Sequence, residues 1–383
     1  RHYFKNSFEI GVSMPNEISN QISGQDEVFC RIEGPLGRLT LNRPSALHSL
    51  NFNMCKLMID ALMAWRSNDT VKAVWIDHQP ETRGFCAGGD IRMLSESGKS
   101  DGVEACAFFR LEYQLNHFLK TYPKPVIAVM DGVTMGGGVG ISVHGAFRIA
   151  TENTVFAMPE TGIALMPDVG GGWFLPRLDG ELGAWLAMTG NRLKAADSFA
   201  AGIATHYVTT DRVDAARAHI AEGLSAGKSP ADLLGEKHQD PGAPVQLDNE
   251  TRAKIDECFA SNRAEEIVEK LEGEKSDFGD ESWAAKQLAT LATKSPQSVK
   301  VALKQIRLGG AMSDFADNMA MEYAVVSRIV MNPEFHEGVR AVILDKDNDP
   351  KWRYASIADV PDAEIDAVFA PLPADQAWAP LEI

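Results

Sequence analysis

Residues 130–177 read MDGVTMGGGVGISVHGAFRIATENTVFAMPETGIALMPDVGGGWFLPR, and this order of apolar strand, glycine turn and spaced carboxylates decides what fold can hold them. The run PVIAVM (125–130) leads into MGGGVG (135–140), a turn between strand and helix. There the amides of Gly137 and Gly138 fall at a helix N-terminus, whose dipole favours negative charge. Glu160 and Asp168 follow eight residues apart in mostly uncharged surroundings, each behind a proline (Pro159 and Pro167) that stiffens the chain. A lone carboxylate is usually solvated or a helix cap. Here, amides able to hold an oxyanion sit close in sequence to carboxylates able to move protons, a combination suited to chemistry at an activated carbonyl.

A second glycine turn lies upstream in RGFCAGGDIRML (83–94). Ala87, Gly88 and Gly89 let a ligand approach the backbone, and Asp90 can cap the next helix. Each turn alone reads equally well as tight strand-to-helix packing. Two of them after successive strands fit one oxyanion hole with a donor from each. The stretch lacks the spacing of a phosphate-binding P-loop or a dinucleotide fingerprint. Glu112, in FFRLEYQLNHF, lies on a helix face flanked by aromatics, with a salt bridge to Arg110 as its alternative reading. Other chemistries find less support. The nine histidines show no His-Glu-x-x-His spacing, Ser142 sits in Gly-Ile-Ser-Val-His rather than a nucleophile elbow, and Cys86 has no evident histidine partner.

Around these motifs, residues 28–41 alternate about Gly34-Pro35 as a hairpin, and residues 51–66 form a helix capped by Ser49 or Asn51. Strands are expected at 71–77, 125–130, 147–150 and 155–158, with helices at 103–120 and from 138 to 144. Strands alternating with helices imply an α/β fold with mostly parallel pairing. After Gly180 the periodicity is helical, interrupted at 235–244 (GEKHQDPGAP) by a linker or long loop; the segment beyond residue 349 shows little periodicity. The resulting division is a leader or mobile arm (1–25), a core carrying the site (26–235), a helical region (236–352) and a tail (353–383).

Among 383 residues, 45% are hydrophobic and 23% charged, as in a soluble globular protein. The net charge of -16 argues against nucleic acid as partner, while a local basic patch could still hold a phosphorylated small ligand. No apolar run reaches membrane-span length. Five scattered cysteines without a Cys-x-x-Cys pair suggest neither a zinc site nor a disulfide framework, so no metal is expected and a reducing compartment is the simplest reading.

LNRPSALHSL (41–50), FCAGGDI (85–91), KPVIAVMDGVTMGGGVG (124–140) and FAMPETGIALMPDVGGGWFLPRL (156–178) resemble the crotonase superfamily, the enoyl-CoA hydratase/isomerase fold. FFRLEY, GISVHGAFRIATE and EGVRAVILDKDNDPKW (337–352) are most similar to its branch of 3-hydroxyacyl-CoA thioester hydrolases, and the likeness runs from about residue 28 to 352. It implies a crotonase-like spiral of ββα units with a C-terminal helical region. The implied substrate is an acyl-CoA, with coenzyme A part of the substrate and no separate cofactor; the implied reaction is hydrolysis of a short 3-hydroxyacyl thioester such as that of valine breakdown. By motif, the thioester oxygen meets the amides of Ala87 (or Gly88) and Gly137. Glu160 takes the main catalytic position and Asp168 a second. Glu112 contacts a substrate hydroxyl or supports the site, and Ala46, Gly88, Gly89 and Asp90 fall where CoA binds. The hydratases supply a second glutamate three residues after the oxyanion glycine; here that position is Gly140, which weakens hydration without abolishing it. Enoyl-CoA hydration or isomerisation, and CoA-ester binding without catalysis, stand as the alternatives. The superfamily also implies a homo-oligomer, and a bacterial cytoplasm or a mitochondrial matrix as its setting.

Overall fold

The computed structural model describes residues 27–80 and 82–382; the leader or arm expected at 1–25 lies outside the described residues. Among the described residues, ten strands form two sheets, one of six strands in the order β1-β2-β3-β5-β7-β10 and one of four in the order β4-β6-β8-β9. The first sheet contains β1 (Val28–Glu33), β2 (Leu36–Leu41), β3 (Ala73–His78), β5 (Val126–Met130), β7 (Phe147–Ala150) and β10 (His206–Tyr207). The second contains β4 (Gly84–Cys86), β6 (Val133–Met135), β8 (Val155–Ala157) and β9 (Leu193–Lys194). Apart from the β1–β2 hairpin and the β8–β9 pair, all neighbours run parallel. Each turn of the spiral lays one strand in the large sheet, the next in the small sheet, and returns through a helical segment. This is the crotonase-like ββα spiral that the motifs imply.

The large sheet is covered on both faces, which is why β3 and β5 read as continuous apolar runs. Val74, Ile76, Val126 and Ala128 face one cluster with Leu62 and Phe118, from α1 (Phe52–Arg66) and α3 (Val103–Thr121). Ala73, Trp75, Ile127 and Val129, the alternate positions, face a second cluster with Ile220 and Leu233. Asn51 is the cap of α1, its side chain accepting from the Met54 amide at 2.9 Å. Asp90 caps α2 (Ile91–Gly98) in the same way.

Two differences from the sequence reading affect the site. The helix expected at 138–144 is a single turn, α4 (Gly137–Gly140), because three consecutive glycines give little to propagate it. Residues 353–383, read as a tail of little periodicity, carry a helix (Asp362–Val368) and pack against α3. Trp378 is buried and its indole N–H donates to the Arg110 carbonyl at 3.2 Å, while Arg110 donates to the carbonyls of Gln376 and Ala377. That segment therefore braces α3, the helix that carries Glu112.

Candidate active site

β4, β6 and β8 are parallel neighbours, so their C-terminal ends open at one edge of the small sheet. β4 delivers Ala87-Gly88-Gly89, β6 delivers Gly136-Gly137, and β8 delivers Pro159-Glu160. From the opposite side, α3 lowers Glu112, and the loop before α5 (Gly171–Phe174) brings Asp168. These residues line one cavity of about 540 Å³, whose walls also include Phe108, Phe109, Ile163, Leu165, Val342 and Ile343, with Arg192 and Lys294 as cations.

The two glycine turns face each other. A Cβ built on Gly88 would lie 3.9 Å from the Gly137 nitrogen. On Gly136 it would lie 3.2 Å from Glu160 Oε1, and on Gly137 it would lie 2.5 Å from Glu112 Oε1. Both glutamates thus aim at the β6 turn, and only glycine leaves them room. The Ala87 amide donates to the Leu47 carbonyl at 3.0 Å, held there by the left-handed turn at Leu47. Of the two amides expected to hold the oxygen, Ala87 or Gly88, that of Ala87 is thus engaged; among the described residues the N–H groups of Gly88 and Gly89 have no hydrogen-bond acceptor. Among the described residues, the Gly137 N–H likewise has no hydrogen-bond acceptor.

Three buried carboxyls share the cavity: Glu112 at 2%, Asp168 at 5% and Glu160 at 6% exposure. Burial pushes Glu112 well above the usual carboxylate range, and the charges of Asp168 and Glu160 push it further. Glu160 is raised by burial and by Asp168, against the pull of its own backbone hydrogen bond and of Lys294. Burial raises Asp168 to about 6, opposed by the Tyr113 hydroxyl, which donates to its Oδ2 at 2.7 Å. Glu112 Oε1 and Glu160 Oε2 have no hydrogen-bond partner among the described residues. Buried carboxyls all held above the usual carboxylate range, with free oxygens facing a cleft, are equipped for proton transfer.

The other expected binding residues divide. Gly88 and Gly89 line the cavity. Ala46 and Asp90 do not: Ala46 closes a 3-10 turn, and Asp90 caps α2 and pairs with Arg43 at 2.8 Å. Both lie around the β4 turn, outside this cavity. Sequence reasoning missed Tyr113, Lys294, Asn116 and Glu322. Tyr113 adjoins Glu112 and could have been found by asking what satisfies a buried Asp168. Val169, between Asp168 and Gly170, has φ +53, a left-handed conformation that costs a β-branched residue roughly 1–3 kcal/mol.

The enoyl-CoA hydratase/isomerase family profile matches residues 36–369. The chain belongs to that family. It is 43% identical to the mitochondrial 3-hydroxyisobutyryl-CoA hydrolase of Danio rerio, over 91% of each chain. It is 40% identical to the Homo sapiens protein of the same name, over 93% of this chain and 91% of that one. Among solved structures of the family, a carnitinyl-CoA dehydratase from Mycobacterium thermoresistibile superposes with a TM-score of 0.83 at 38% identity, covering 91% of this chain and 98% of that one. An enoyl-CoA hydratase from Rhodobacter sphaeroides 2.4.1 gives 0.79 at 34% identity, covering 92% and 99%. Among the described residues, no helix is long and apolar enough to cross a membrane, and no group of three or more His, Cys, Asp or Glu is arranged to hold a metal.

Proposed function

We propose that this protein hydrolyses the thioester of a short 3-hydroxyacyl-CoA, with 3-hydroxyisobutyryl-CoA, the substrate in the names of its vertebrate relatives, as the first candidate. The observation that carries the reading is at Gly140. Where the hydratases of this family place their second glutamate, a Cβ would already lie 2.7 Å from Asn116 Nδ2 and 2.7 Å from Val169 Cβ. Hydration of an enoyl group loses one of its two facing carboxylates, whereas thioester hydrolysis needs only what the cavity offers.

In this reading, the thioester oxygen sits between the Gly137 amide and a free amide of the β4 turn, at Gly88 or Gly89, donors that strengthen as charge develops in the tetrahedral state. Glu160, whose Oε2 is free of hydrogen bonds among the described residues, either attacks the thioester carbon, expelling CoA thiolate and leaving an anhydride that water then hydrolyses, or takes the proton of a water that attacks directly. Asp168, oriented by Tyr113, handles the proton that the departing CoA thiolate needs. Glu112 meets the 3-hydroxyl; burial favours its protonated form, which can donate as well as accept there. The names of the vertebrate relatives put them in mitochondria, which supports a mitochondrial setting for this activity in a eukaryotic host. The test is thiol release from 3-hydroxyisobutyryl-, 3-hydroxypropionyl- and crotonyl-CoA side by side. Free CoA from the two hydroxyacyl esters is expected; loss of the crotonyl double bond without thiol release would overturn the reading.

A further inference from the structure

Asp168 sits in an unusual stretch of backbone, with Val169 at φ +53 and Gly170 at φ +88 directly after it. Such a conformation persists only where its surroundings fix it. What fixes it comes from two helices far along the chain, α13 (Pro296–Ala311) and α14 (Phe315–Ile329). Glu322, fully buried on α14, accepts from the Gly170 amide at 2.7 Å and from the Gly172 amide at 2.8 Å. Gln305, fully buried on α13, donates to the Pro167 carbonyl at 2.7 Å and to Glu322 Oε1 at 3.0 Å, and Asn318 donates to the same oxygen at 2.9 Å. Both flanks of Asp168-Val169 are thus held by one side-chain network. On the remaining side, His144 donates to the Val169 carbonyl at 2.7 Å.

We propose that Glu322, with Gln305, is the positioning residue for Asp168: its carboxylate fixes the 167–172 backbone so that Asp168 keeps its place against Tyr113 and the cavity. A carboxylate suits this geometry, because two backbone amides and two side-chain amides donate to it; burial and the charge of Asp168 push its carboxyl up to about 7, and those donors hold it down. An amide there must turn an NH2 toward at least one of those donors. The clamp also gives the C-terminal helices a part in the reaction although neither Glu322 nor Gln305 lines the cavity. The inference rests on the reading of Asp168 as a catalytic group, and the experiment separates the two.

The experiment measures kcat and KM for thiol release, with melting temperature, in wild type, Asp168→Asn, Glu322→Gln and the double variant. Misplacing a catalytic group by about 1 Å can cost on the order of a hundredfold, so Glu322→Gln should lower kcat roughly 10- to 100-fold with KM within about threefold. If Glu322 acts through Asp168, the double variant is no slower than Asp168→Asn alone, a non-additivity that a purely structural residue does not produce. Gln305→Met, which deletes the Pro167 bond in a similar volume, should lower kcat in the same direction and carries the test if Glu322→Gln does not fold. Wild-type kcat in Asp168→Asn removes the catalytic reading and this inference together. A loss in Asp168→Asn with wild-type kcat in folded Glu322→Gln, or in Gln305→Met where Glu322→Gln does not fold, or with fully additive losses, overturns the inference alone.

Discussion

Gly140 is pressed against Asn116: a Cβ on the glycine would stand 2.7 Å from the Asn116 amide nitrogen. Asn116 is fully buried on α3, one turn beyond Glu112, and neither of its amide atoms has a hydrogen-bond partner among the described residues. The space a second carboxylate would need is therefore filled by a helix that must stay where it is, because it also holds Glu112. The departure from the hydratase pattern is built into the packing as well as the sequence. Gly140→Glu should not create a crotonyl-CoA hydratase; it should destabilise the fold through overpacking by roughly 1–3 kcal/mol, read as a lower melting temperature in thermal denaturation. A folded variant that hydrates crotonyl-CoA efficiently would contradict the steric account.

Removing the charge of Glu160 while keeping its shape tests its role directly. Glu160→Gln should keep its fold by circular dichroism and lose about a hundredfold or more in kcat, the scale of lost acid–base help. Asp168→Asn should fall in the same direction. Near-normal kcat in the Glu160 variant takes it out of the mechanism.

Asp168 also carries a stability prediction of opposite sign. Burial raises its carboxyl from 3.8 to about 6, so the native state holds the proton more tightly than the unfolded chain does. Its contribution to stability is complete below about pH 3.8 and is lost as pH rises through about 6, at most about 3 kcal/mol for a shift of this size. Asparagine does not titrate and still offers an oxygen to Tyr113. Asp168→Asn should therefore gain melting temperature relative to wild type by a few degrees more at pH 8 than at pH 5. An equal difference at both pH values would show that ionising Asp168 carries no such cost.

The frame of the fold could be read from local chemistry. The buried run of β5, the Gly34-Pro35 hairpin and the Asn51 cap are written in adjacent residues, and each is found where periodicity and turn residues put it. The two strands that matter most to the site, β4 and β6, have three residues each, too short for any period to declare itself. Their turns were visible as glycine clusters, but that they lie side by side depends on pairing in the second sheet. Glu160, Asp168 and Glu112 stood out as carboxylates in apolar surroundings. Glu322 does the same in MEYAV, but its meaning lies in the amides of Gly170 and Gly172, the latter 150 residues away. The Ala87 amide shows the limit from the other side, since a one-residue shift along a glycine turn depends on where the Leu47 carbonyl points.

Lys294 is half-buried at the cavity wall and is the positive charge that holds Glu160 down against burial. Lys294→Met keeps most of the side-chain length and removes that charge, so Glu160 should hold its proton to higher pH. If the ionised Glu160 is the reactive form, the acid limb of the kcat/KM profile should shift upward in pH while the alkaline rate stays closer to wild type. The profile of a cluster reports shared ionisations, so the readout is the displacement of the limb rather than one residue's constant. An unmoved limb would disconnect Lys294 from Glu160.

The last prediction concerns the oxyanion turn. Gly137 is the one position where a backbone N–H, both glutamates' turn and the facing Gly88 turn converge, and a single methyl group is enough to disturb it. An alanine Cβ would meet Glu112 Oε1 at 2.5 Å, Leu50 Cδ1 at 3.1 Å and the Gly88 carbonyl carbon at 3.2 Å. The Glu112 end can swing aside, but only within the cavity; the Gly88 backbone cannot move without shifting the facing turn of the proposed oxyanion hole. Loss of one oxyanion donor costs on the order of 10²–10³ in kcat, about 2.7–4 kcal/mol. Gly137→Ala should therefore lose at least a hundredfold in kcat at a melting temperature close enough to wild type for a folded assay. Gly235→Ala is the matched control: a Cβ there meets nothing within 4 Å, so activity should stay at wild type. Folded Gly137→Ala enzyme that turns over near the control's rate would show that the amide at this turn does not hold the thioester oxygen.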